Sequence, residues 1–177
     1  MANYWANPLF PVMDEDLSKV YVATGETFTQ GDVILCDVLD TSITDNIEVY
    51  ESTPVTDVAA DIPQIVYNQG FREDTSGRRY DDDVDVTTIV YRAGQTISTI
   101  KNKVGRTFEI SSDAIENPDT VTLAVGAYLI PQTTSYKLKT AASYTTEALV
   151  YKVEYVGTLD VGGNFITICH ARVVVGL

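Results

Sequence analysis

Two β-rich runs flank a Gly/Asp turn between Glu147 and Val175, and no other stretch restricts the fold as strongly. The first run is Glu-Ala-Leu-Val-Tyr-Lys-Val-Glu-Tyr-Val. The turn is Gly157-Thr-Leu-Asp-Val-Gly-Gly163, and the second run is Asn-Phe-Ile-Thr-Ile-Cys-His-Ala-Arg-Val-Val-Val. This is the signature of a β-hairpin. Strict alternation puts Leu149, Tyr151, Val153 and Tyr155 on one face, with Lys152 and Glu154 opposite. In the second run Phe165, Thr167, Cys169, Ala171, Val173 and Val175 share a face, while His170 and Arg172 point the other way. The pattern predicts a hairpin at the centre of a sheet, with one dry side and one that is solvated or covered by another element.

The rest of the chain reads as short strands and turns. Residues 1–16 form an extended arm that is apolar at Tyr4, Trp5, Leu9, Phe10, Val12 and Met13, with Pro8 and Pro11 opposing regular pairing. Such an arm is ordered only when docked, on its own core or on a neighbouring subunit. Strands are expected at Lys19 to Ala23, Val33 to Leu39, Asp45 to Glu51, Val84 to Arg92 and Val121 to Ile130, the last with Gly126 as a bulge. Val55 to Tyr67 is ambiguous. Residues 69–83 form the most polar stretch and read as a long exposed loop. Gly25, Gly94 and Gly105 each precede x-Thr-apolar, a turn-then-strand pattern. Ser111 to Asn117 is expected to hold one helical turn, capped by Ser112 and with Ile115 inward. Pro131 to Thr146 reads as a polar loop or weak strand. Eight to ten strands predict an all-β protein: a single compact barrel-like or sandwich-like domain over 17–177, preceded by the arm.

Composition supports this. Valine, threonine, isoleucine and eleven tyrosines fit a pleated, half-buried surface, and hydrophobic residues make up 45% of the chain. Net charge is −13, carried by residues 1–92 with 18 acids and 5 bases, whereas 93–177 hold 7 of each. That balance opposes nucleic-acid and anionic-membrane partners, because both need clustered Lys and Arg. It suits solubility or docking on a basic protein surface. Two cysteines, Cys36 and Cys169, are too few for a disulfide scaffold and read as buried thiols in a reducing compartment. The first residues lack a basic segment followed by an apolar one, which predicts no secretory leader and synthesis in the cytoplasm.

Catalytic constellations are scarce. The one histidine, His170, lies next to Cys169, but neighbouring strand residues face opposite ways, so it reads as structural or outer-face. Asp81, Asp82, Asp83 and Asp85 form the densest carboxylate cluster, yet the order of a calcium loop is missing, and Arg78 and Arg79 stand beside it. No phosphate-binding glycine loop is present, because the spacing Gly25 to Gly31 lacks the Lys-Ser/Thr that follows one. No cofactor or metal is expected. With a single Trp in the arm, any sugar platform has to be tyrosine. Tyr21, Tyr50, Tyr67, Tyr91 and Tyr151 each follow a valine, so one face can be core and the other a contact surface.

The turn Gly25-Glu-Thr-Phe-Thr-Gln-Gly-Asp-Val-Ile, the arm before it and Gly126-Ala-Tyr-Leu-Ile together resemble the small β-rich decoration proteins of tailed-phage heads. The resemblance implies a non-enzymatic virion component on the head surface that binds the major capsid protein lattice as a trimer or other homo-oligomer. Contacts are then expected from Tyr4, Trp5, Leu9 and Phe10 of the arm, and from Phe71, Arg72, Arg78 and Arg79 of the polar loop. A tail or head–tail connector subunit is the alternative virion part. A carbohydrate-binding or hydrolytic module is the alternative from a different class.

Overall fold

The computed structural model describes residues 4, 6–40, 49–67, 90–116, 121–133, 135–161 and 164–177. The chain is all-β. Its strands are β1 (Ala6–Pro8), β2 (Leu17–Tyr21), β3 (Thr27–Thr29), β4 (Val33–Ile34), β5 (Val49–Glu51), β6 (Gln64–Tyr67) and β7 (Val90–Arg92) in the first half. In the second half come β8 (Thr96–Ile100), β9 (Thr107–Ser111), β10 (Ile115–Glu116), β11 (Tyr128–Gln132), β12 (Ser135–Ala141), β13 (Val150–Val161) and β14 (Asn164–Val175). Single 3-10 turns at Asp14–Asp16 and Ser112–Ala114 are the helical elements among the described residues.

A seven-stranded sheet runs β1-β9-β14-β13-β11-β12-β10, and a five-stranded sheet runs β4-β6-β8-β2-β5. β3 and β7 form a separate ribbon, and no sheet closes into a barrel. The final hairpin sits at the centre of the large sheet, β14 bonding β9 and β13 bonding β11. Its inner face supplies Leu149, Tyr151, Val153, Cys169, Ala171 and Val173 to the main core, which also takes Phe108, Ile110 and Leu129 from the same sheet. Val33, Ile65 and Ile100 of the five-stranded sheet enter that core, so the two sheets pack on one another. Fully burying a side chain the size of Phe108 contributes about 2–3 kcal/mol. The opposite face of the five-stranded sheet carries Val20, Ile34, Val66 and Ile97, covered by Phe28 of β3. Tyr136 of β12 meets Phe28 edge-on at 4.7 Å, tying this second core to the large sheet.

Alternation in the hairpin breaks at two points, the first between Val150 and Tyr151, where both side chains are buried. The register between β13 and β14 shifts between Val153 and Tyr155, which makes a bulge. Tyr155 is therefore not on the core side, as strict alternation predicts, but is 48% exposed and paired with His170. Val156 returns to the core side opposite Cys169. The expected core face of the second run is also shorter than the sequence pattern implies. Phe165 is 76% exposed while Ile166 and Ile168, on the other face of β14, are buried, so toward the turn the covered side of the strand is the opposite one.

The arm docks on its own chain. β1 adds antiparallel to β9 at the edge of the large sheet, where Pro8 is tolerated because an edge residue has no outer partner to satisfy. Phe10 meets Phe108 edge-on at 5.3 Å, and the Arg106 guanidinium lies 4.5 Å over the Phe10 ring. The turn after it delivers Asp16, 1% exposed, to Lys103 Nζ at 2.8 Å and Arg106 Nη2 at 2.6 Å. Burial would raise the Asp16 carboxyl, but these two donors and the Met13 amide outweigh it and hold it at about 2.

The predicted strand Val33 to Leu39 shortens to β4 and continues only as isolated bridges from Leu35 to Thr53 and from Leu39 to Tyr50. Gly126 is not a bulge in a strand. It has φ +91 in a turn and β11 starts at Tyr128, the same construction that Gly25, Gly94 and Gly105 use before β3, β8 and β9. Pro131 lies inside β11 at a register shift, where a missing donor costs no ladder bond.

Candidate functional site

The outer face of the large sheet holds the densest array of functional side chains among the described residues. Because Cys169, Ala171 and Val173 are buried, alternation sends His170 and Arg172 to the other side. Register then fixes their neighbours. Asn7 of β1 opposes Glu109 of β9, Glu109 opposes His170 of β14, and His170 opposes Tyr155 of β13. These four residues form one row across four strands. In the adjacent row Thr107 opposes Arg172, Arg172 opposes Lys152, and Lys152 opposes Tyr128 of β11.

Side-chain contacts brace the first row. His170 Nε2 lies 3.2 Å from Glu109 Oε2, a contact that fixes the imidazole plane. The Tyr155 ring sits 4.8 Å from the His170 ring at a tilt of 42°. It leans along the strand over Gly157, and any Cβ at that position would collide with the Tyr155 hydroxyl end. The ring thus lies against the sheet with much of its surface open to solvent. In the second row Arg172 Nη2 donates to Glu154 Oε1 at 2.7 Å, with both side chains partly exposed. Tyr128 packs against Tyr144 with centroids 5.0 Å apart. The result is an open strip with a tyrosine at one end of each row, Glu109 and His170 within the first row and Arg172 and Lys152 within the second. Such a strip can stack an apolar ring face and hydrogen-bond a polyhydroxylated edge in the same encounter.

Other polar clusters have structural roles. A cleft of about 240 Å³ lined by Tyr21, Ala23, Thr24, Asp40, Glu51 and Ser52 opens beside β2 and β5. Its Ser52 hydroxyl donates to Glu26, which also accepts from the Tyr136 hydroxyl at 2.5 Å, so this wall fastens β5 to β12. Asp32 is buried with Oδ1 unpartnered, while Oδ2 accepts from the Thr29 amide at 2.6 Å; burial pushes its carboxyl up to about 6. Cys169 is buried and free, its thiol pushed up to about 12 by that burial. Among the described residues no group of three or more His, Cys, Asp or Glu is arranged to hold a metal ion, and no helix is long and apolar enough to cross a membrane.

Of the residues expected to make partner contacts, Tyr4, Leu9 and Phe10 are among the described ones. Tyr4 and Phe10 pack on the chain's own core, Tyr4 beneath Lys137 Nζ at 4.5 Å, while Leu9 is 46% exposed. Trp5, Phe71, Arg72, Arg78, Arg79 and Asp81 to Asp85 lie outside the described residues. The sequence pattern placed Lys152, Glu154, His170 and Arg172 on a common side. It missed Asn7, Thr107, Glu109 and Tyr128, whose places depend on long-range register, and it put Tyr155 on the wrong face.

A family model described as the LytR cell envelope-related transcriptional attenuator matches residues 46–128, somewhat under half of the chain. The matched segment includes β9, which contributes Thr107 and Glu109 to the outer face. No curated protein and no solved structure matches. The match overturns the phage-decoration resemblance, together with the virion role and the head-surface location drawn from it. The residues behind that resemblance were turn glycines and an apolar arm, and this fold uses both to start strands and close its own sheet edge.

Proposed function

We propose that this chain is a non-catalytic module that holds a bacterial cell-envelope glycan against the outer face of its large sheet. The observation that carries the reading is Tyr155, turned outward by a bulge and braced over Gly157 and His170, in a chain similar to a cell envelope-related family. A sugar ring presents C–H groups on one face and hydroxyls at its rim. Tyr155 meets the first, and Glu109, His170 and Arg172 are placed for the second. The bulge spends a ladder position to put an aromatic ring where it gains nothing for the core. The family description also speaks of transcriptional attenuation. A net charge of −13 repels phosphate backbones, so any such effect would run through envelope or protein contacts and not through nucleic acid.

The test is co-sedimentation of the purified chain with insoluble bacterial cell-wall polysaccharide. Retention is expected for the parent chain, and Tyr155→Ala is expected to weaken it by roughly five- to thirtyfold, the equivalent of one stacking contact of about 1–2 kcal/mol. Equal retention of the two proteins, or no retention of either, overturns the proposal.

A further inference from the structure

The two long strands are not flanked equally along their length. β11 pairs β13 at Tyr151 and Lys152 and, through Gly126 and Ala127, at Val153. Past that point β13 keeps an unbroken register with β14 from Tyr155 to Val161, while its other edge has no ladder partner among the described residues. A complete strand is usually about five to six residues long, so this edge is as long as a whole strand. The outer edge of β14 is open for less, from Asn164 to Thr167, because β9 takes over at Ile168. Along Tyr155–Val161 every second residue turns its N–H and C=O away from β14.

Sheets guard such an edge with lysine, proline, a bulge or brevity. Between Glu154 and Val161 there is no Lys, Arg or Pro, and the bulge lies before the regular part begins. The charged residues there are Glu154, which accepts from Arg172 at 2.7 Å, and Asp160, in a chain of net charge −13. That charge repels a second copy of the chain and draws a basic segment, so the edge is open to backbone pairing and selective by sign.

We infer that the outer edge of β13, from Tyr155 to Val161, takes up an extended, basic segment of a partner protein by strand addition. Main-chain hydrogen bonds supply the affinity, and the side chains of the added strand, alternating between the two faces of the sheet, supply the charge. This use of β13 engages its backbone and not the side chains of the outer face, so it holds or fails independently of glycan binding.

Residue-resolved amide hydrogen exchange of the full chain, alone and with three peptides, tests this. The peptides are about eight residues long: alternating Lys/Val, alternating Glu/Val, and the Lys/Val peptide with its valines replaced by proline. In the chain alone, alternate amides of Tyr155–Val161 should exchange fast and the ones bonded to β14 slowly. The Lys/Val peptide should slow the fast set by roughly tenfold at low ionic strength. The proline peptide carries the same charge but cannot pair, and the Glu/Val peptide can pair but is repelled, so both should leave that set unchanged. Thr158 is exposed on this edge; Thr158→Lys should weaken the Lys/Val peptide by roughly threefold and Thr158→Glu should tighten it by a similar factor. Uniformly slow exchange in the chain alone would show the edge already paired and overturn the inference. So would equal slowing by the proline peptide, a preference for Glu/Val, or no slowing by any peptide, none of which bears on retention by cell-wall polysaccharide.

Discussion

Replacing Asp16 with asparagine tests how the N-terminal arm is held. Asp16 is nearly inaccessible and accepts from Lys103 Nζ and Arg106 Nη2, which hold its carboxyl at about 2 against an ordinary value of 3.8. A depression of that size corresponds to about 2 kcal/mol of folding stability. The Lys103 side chain is 39% exposed, so water screens its share and about 1–2 kcal/mol is the better figure. The sign follows from the direction of the shift. The unfolded chain takes up the proton first, so the contribution is complete above pH 4 and disappears as the pH falls toward 2. Urea unfolding of the parent and of Asp16→Asn at half-unit steps from pH 6 to 2 isolates the effect, because other carboxylates titrate alike in both. The stability difference should be at least 1–2 kcal/mol at pH 6 and should narrow by about that amount between pH 4 and 2. A difference that stays flat across that window would show that the ion pair does not form in solution, and the docked arm would lose its main polar anchor.

Two further outcomes are expected. Asp32 has the opposite linkage: burial raises its carboxyl to about 6, so the stability from its protonated form is full below pH 4 and fades as the pH rises through 6. Asp32→Asn should therefore gain about 1–2 kcal/mol over the parent at pH 7.5 and less at pH 4, measured by the same unfolding curves; a uniform loss at both pH values contradicts the assignment. Phe10→Ala removes the edge contact with Phe108 and the ring beneath Arg106, and should cost about 1.5–3 kcal/mol in urea unfolding. A cost below about 0.5 kcal/mol would place the arm off the core.

The architecture was legible where it follows from local pattern. The closing hairpin, its central place in a sheet, the turn glycines before strands and the all-β class come from alternation and turn chemistry, which act within a few residues. The outer face of the large sheet was only half legible. Lys152, Glu154, His170 and Arg172 fall together by alternation, but Glu109 and Thr107 join them through pairing of β9 with β14, some sixty residues apart in sequence. Nothing local in Val153-Glu154-Tyr155 marks a bulge, because each residue there is an ordinary strand former or surface acid. The arm shows the same limit from the other side. Its apolar residues dictated that it dock, and only the position of β9 decided that the surface would be its own.

The short β1 strand has a further consequence. It ends at Pro8, which offers no N–H to an approaching strand, and the far edge of the same sheet is β10, two residues long. Each of these two strands offers a second copy at most three residues of ladder. Molecules crowded along a repetitive polymer would then occupy it as separate beads and would not zip into a film. Occupancy would rise with the number of repeats available, and avidity would have to come from tethering and not from contacts between neighbours along these edges.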